Sequence, residues 1–148
     1  MRVAFAIATL VVVLWAAAST SGASPGQGRQ FVVIVNKQNQ LNELSVGKLK
    51  TIFLRRISRW PWGAAVHPVD LPEGSALRRD FAREVLDSTL AELGVYWIDQ
   101  KATRNINPPV VASSVEAVKA AVAAQPGAIG YIPASAVDGR VKILEVVQ

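Results

Sequence analysis

Apolar residues along this chain fall into runs of different kinds. Val3 to Ala18 is almost unbroken, with Thr9 its only polar residue. Phe31 to Asn36 (FVVIVN) is a continuous block, as in a strand buried on both faces, and Ala65 to Val69 and Ala128 to Ile132 are short blocks that read as strands. Between the blocks the apolar positions switch to helical spacing. Val46, Leu49, Ile52 and Phe53 follow Ser45, which predicts a helix capped by that serine. Trp60-Pro61-Trp62-Gly63 predicts a turn. Leu77, Phe81 and Val85 predict a second helix starting at Ser75 or Ala76, and Leu90, Leu93, Tyr96 and Trp97 a third. Thr89 and Glu92 have capping-box spacing at the start of that third helix. Lys101 to Asn107 reads as a polar loop closed by Pro108-Pro109, and Val110-Val111 as a short strand. Ser113 and Glu116 suggest another capping box. The helix it opens carries Val115, Val118 and Val122 and stops at Gln125-Pro126-Gly127. Asp138-Gly139 predicts a turn before a last strand, Val141 to Val147. Strands alternating with helices predict an α/β domain with a central mixed or parallel sheet flanked by helices.

The first apolar run changes the domain count. Met1-Arg2, the run to Ala18 and the small residues Gly22, Ala23 and Ser24 follow the three-part pattern of a secretory signal peptide. The run is shorter than the ~20 residues of a spanning helix. The expected division is a signal peptide over 1–23, a Gly/Pro/Ser linker over 24–30 and one folded domain over 31–148. Export to a secreted or periplasmic location follows, with no transmembrane segment after cleavage. Lysine and arginine number 16 against 11 acids, for a net charge of +5. Loss of Arg2, the only charge before residue 24, lowers +5 to +4. That charge suits an anionic small molecule, lipid headgroup or cell-wall polymer. The cations are dispersed and no nucleic-acid signature appears, so no nucleic acid is expected.

The candidate chemistry is narrow. With one histidine, His67, and no cysteine, the chain offers neither a zinc ligand set nor a Ser-His-Asp triad. Asp70 and Glu73 lie where surface acids favour a helix start. No metal, cofactor or enzymatic activity is expected. Gly74-Ser75 stands at a predicted helix N-terminus, where unpaired N–H groups and the helix dipole suit an oxyanion. The same residues also suit an ordinary helix cap. Ser113-Ser114 poses the same alternative, and the two termini could meet at one end of a parallel sheet. Arg55, Arg56, Arg59 and Trp60 form a basic stretch with an aromatic. It suits either a solvated helix end or a partner or anion surface.

The order of the motifs carries a resemblance. FVVIVNKQNQLNEL, LKTIFLRRISRW, HPVDLPEGSALRRDF and SSVEAVKAAVAAQPGAIGYIP follow one another over residues 31–134. This resembles the phosphate-binding-protein family of ABC transporters, which has the type 2 periplasmic binding fold. The resemblance implies a single periplasmic-binding-protein-like lobe, binding phosphate or a similar small oxyanion in connection with ABC-type transport. It implies a ligand loop at Gly74, Ser75, Ala76 and Leu77, with Ser75 keeping the hydroxyl donor. Ala76 replaces a glycine, and the arginine expected near Asp70 or Leu71 is absent. Arg78 is the candidate substitute, and Ser113 and Ser114 complete the candidate ligand set. The implied partner is a transporter or envelope protein. Full-length family members have two lobes with the ligand between them. A non-transport envelope module that keeps the lobe fold without ligand capture is therefore the alternative.

Overall fold

The computed structural model describes residues 29–148; the expected signal peptide and most of the linker lie outside the described residues. Six strands form one sheet in the order β2-β6-β1-β5-β3-β4. They are β1 (Val32–Val35), β2 (Glu43–Ser45), β3 (His67–Asp70), β4 (Val110–Val111), β5 (Ala128–Ile132) and β6 (Lys142–Val147). The helices are α1 (Val46–Phe53), α2 (Ala76–Glu84), α3 (Leu90–Arg104) and α4 (Val115–Ala124). β1 runs antiparallel to both its neighbours, β5 and β6. β2 runs parallel to β6, and β3 parallel to β4 and β5, so five strands share one direction. Both expected blocks at the sheet centre are buried along nearly their whole length: Val33, Ile34 and Val35 of β1, and every residue of β5.

The sequence PGAIGY shows how the layers meet. A side chain at Gly130 would strike Val118 and Val122, so its absence brings α4 directly onto β5. Tyr131, next along the strand, points to the opposite face. There its ring stacks on Phe81 of α2, with Phe53 of α1 and Phe31 at its edges. Gly127 is tighter still: a Cβ there would sit 1.9 Å from the Ala65 carbonyl oxygen. Its own carbonyl accepts from the Trp60 indole at 3.0 Å and the His67 amide at 2.9 Å. This one backbone unit joins the Trp turn, β3 and the start of β5. The predicted turn places Gly63 at a φ of 90°, and Trp60 and Trp62 stack at 5.3 Å.

The predicted caps of α1 and α3 are present, the latter as a full capping box. Two local expectations need correction. Ser114, not Ser113, caps α4, and its hydroxyl accepts from Ala117 N–H. Glu116 instead joins Asp138 around Arg140 and Lys119. The stretch expected as a loop from Lys101 continues α3 to Arg104, because Asn105 provides the left-handed residue that ends it (φ 54°). β2 was not expected at all. It is three residues long and offers only Leu44 to the core.

Lys119 is almost buried and bridges Glu116 at 2.8 Å and Asp138 at 3.0 Å, tying α4 to the turn before β6. Hydrogen bonds from Arg140 hold the Asp138 and Glu116 carboxyls below their ordinary range. Depressed carboxylate pKa values add stability above the unfolded value, about 4, and that stability is lost as pH falls through the folded value. Melting temperature followed downward in pH should therefore drop below about pH 4. In Arg140→Gln the drop should be shallower; equal slopes would remove this cluster as a cause. Gly127→Ala should cost at least the upper end of the ~1–3 kcal/mol typical of overpacking, since its neighbour is backbone and cannot rotate away. Urea unfolding measures that loss.

Candidate functional site

All five parallel strands end at one edge of the sheet, and the loops leaving β3 and β4 lie side by side there. The Ala112 amide donates to the Asp70 carbonyl at 2.8 Å, which holds the two loops together. The N-termini of α2 and α4, with Ser75 and Ser114, thus open at neighbouring points of this edge. Each serine hydroxyl accepts from a backbone amide of its own helix: Ser75 from Arg78 N–H at 3.3 Å, Ser114 from Ala117 N–H at 3.0 Å. The capping geometry is therefore present at both. Ala76 and Val115 are the first residues of their helices, where amides have no partner within the helix.

The other candidate residues are placed differently. Gly74 is exposed, a Cβ there would meet nothing within 4 Å, and its carbonyl accepts from Arg79 at 3.3 Å. Its backbone has no positive φ, so glycine is not demanded by conformation. Ser113 is exposed beside Ser114. Arg78 is the most informative. Its guanidinium folds back over the loop rather than out to solvent, and its side chain is 11 % exposed. Nη1 donates to the Leu71 carbonyl at 3.1 Å. Nε lies 3.3 Å from Asp70 Oδ2, at ion-pair distance but without hydrogen-bond alignment. Arg78 therefore packs beside Asp70 and Leu71, with a carboxylate facing its guanidinium.

Asp70, expected as a surface acid before the helix, is instead buried at the end of β3. Its Oδ1 accepts from the Leu71 amide at 2.8 Å and from the Tyr131 hydroxyl. Burial, reinforced by the Asp70 charge, pushes the Tyr131 phenol far above its ordinary range, so it stays a protonated donor. The sequence showed the two residue types but not the burial that pairs them. A tyrosine in a fully buried strand must find a partner for its hydroxyl, and a buried aspartate must find donors. Glu73 is exposed at the loop, and Glu116 lies in the first turn of α4. Acids thus stand around both helix N-termini, where they take the favourable end of the dipole themselves.

The basic stretch after α1 disperses. Arg55 adopts a left-handed backbone (φ 58°) at the end of the helix, and Arg56 lies over the Tyr96 ring at 5.8 Å. Arg59 donates to the Gly63 carbonyl at 2.8 Å. Among the described residues no cluster of three His, Cys, Asp or Glu could hold a metal, and no helix is long and apolar enough to cross a membrane.

No protein-family model and no curated protein matches the chain. Solved structures do. A protein assigned as a phosphate ABC transporter substrate-binding protein from Clostridium perfringens, solved with bound phosphate, is 26 % identical. The match covers 79 % of this chain and 44 % of that one, at a TM-score of 0.63. An ABC-type phosphate transport receptor from Vibrio cholerae is 19 % identical over 79 % of this chain and 46 % of its own, also at 0.63. A phosphate-binding protein from Stenotrophomonas maltophilia matches 80 % of this chain and 39 % of its own, with 18 % identity and a TM-score of 0.57. The chain spans less than half the length of these solved relatives. Its mixed sheet and flanking helices make it a structural relative of the substrate-binding proteins of phosphate ABC transporters, similar to them over four-fifths of its own length.

Proposed function

We propose that this chain is an exported, non-enzymatic module with the solute-binding lobe fold that does not capture phosphate on its own. It works instead as an interaction domain for an envelope protein or polymer. One observation carries the proposal: the guanidinium best placed for an oxyanion faces the Asp70 carboxylate and the Leu71 carbonyl. A phosphate would have to displace a carboxylate that is tethered by Tyr131 and the Leu71 amide. It would also approach past Glu73, with like charges opposing it. Export rests on the N-terminal pattern of basic, apolar and small residues.

A second reading has its own support. Ser75 and Ser114 cap helices that open at adjacent strand ends, and first-turn amides remain for a ligand at both. Gly74, Ser75, Ala76, Arg78, Ser113 and Ser114 would then bind phosphate or a similar oxyanion in connection with ABC-type transport.

Calorimetric titration separates the two. Under the first reading, phosphate and sulfate give no saturable heat with the full chain at moderate salt. Asp70→Asn keeps the acceptor for Leu71 and Tyr131 but leaves Arg78 without its counter-charge. It should lose about 3 kcal/mol of stability, and millimolar phosphate should recover part of that in thermal melts while leaving the original chain unmoved. Saturable, phosphate-selective binding by the original chain, abolished in Ser75→Ala with Ser114→Ala, would establish the second reading and reject the first.

A further inference from the structure

Away from the Asp70 site, a half-open cavity of about 390 Å³ lies between β2, α1 and the Trp turn. Leu41, Leu44, Ile52, Ile57, Trp60 and Pro61 give it an apolar lining. The floor is firm. Leu44, Ile52 and Trp60 are core residues, 2–5 % exposed. The Trp60 indole N–H is already committed to the Gly127 carbonyl, so Trp60 brings no unsatisfied donor to the cavity.

The charged residues of the lining are Lys48, Arg59 and Glu43. All three are exposed. Among the described residues none of the three has an ion-pair partner; Arg59 is held only by the Gly63 carbonyl. Two cations against one acid leave the lining net positive. The size lies within the range of small-molecule sites, which pair mostly apolar walls with a few polar groups. An inorganic anion would leave those walls wet, and an uncharged hydrocarbon would leave the cations unanswered. A strand-like peptide would find only three residues of edge strand in β2.

We propose that this cavity binds a medium-chain monocarboxylate, its hydrocarbon body against Leu44, Ile52 and Trp60 and its carboxylate at Lys48 and Arg59. The site is separate from the strand-end loops, and its occupancy does not depend on whether those loops bind phosphate. Lys48 and Arg59 supply attraction and orientation, while exclusion of water from the apolar wall supplies most of the affinity.

Tryptophan fluorescence of the full chain, titrated with decanoate, decanol and inorganic phosphate, tests this. Decanoate should change the emission saturably, decanol should bind at least severalfold more weakly, and phosphate should leave the signal unmoved. Reversing both cations in Lys48→Glu with Arg59→Glu should weaken decanoate about tenfold. Both residues are exposed, so the fold should survive, and circular dichroism checks that. Ile57→Trp, which fills the cavity from a half-buried position, should abolish the saturable response. Equal affinity for decanol and decanoate, no saturable change with decanoate, or decanoate binding untouched in both variants would each overturn the proposal.

Discussion

Strand β5 has no face turned to water, and its neighbours are arranged around that constraint. A strand covered on both sides must offer each covering layer a surface it can fit. Here the fit is divided between adjacent residues. Gly130 lets α4 lie against the backbone, and Tyr131 fills the opposite side, where Phe53 and Phe81 bring in α1 and α2. Gly127 does the same at the strand's entry, where the Trp turn and β3 close on its peptide unit. Protein interiors are packed as densely as organic crystals, and at these points the packing is set by the removal of atoms.

The same strand determines the chemistry at the sheet edge. Placing a tyrosine hydroxyl in an apolar layer is costly unless it is bonded. Asp70 meets that need, and Asp70 in turn draws Arg78 inward. Beside the residues that resemble a ligand loop, a chain of internal partners runs from β5 through β3 to α2. Electrostatic satisfaction of the core and availability for an external anion compete for the same guanidinium. The burial of both side chains favours the internal partner.

Much of this was legible in the residues. The apolar blocks located β1 and β5, because a strand buried on both faces leaves an unmistakable continuous run. The caps at Ser45, Ser75 and Thr89 were legible because capping is local. Misplaced features had weaker or competing signals. β2 contributes one core residue and carries no periodicity. Asn105 ends α3 through a backbone conformation that is not written in the helical pattern. Ser113 and Ser114 are adjacent and both of a type that caps helices, so residue type alone does not choose between them. At the candidate site the residue types were visible but their pairing was not. Asp70 and Tyr131 are 61 positions apart, and nothing local indicates that they meet.

The antiparallel first strand has a consequence for how the chain acquires its shape. β1 sits at the centre of the sheet, yet both its partners come from the far end of the sequence: Val32 aligns with Ile132 and Val35 with Lys142. Contacts between residues so far apart require closing a large loop before they return any energy, and they slow folding. A chain made from its N-terminus carries β1 without a sheet partner until residues 128–147 have been synthesised. During that interval its apolar residues have no covering strand, and the sheet closes only once β5 and β6 are in place.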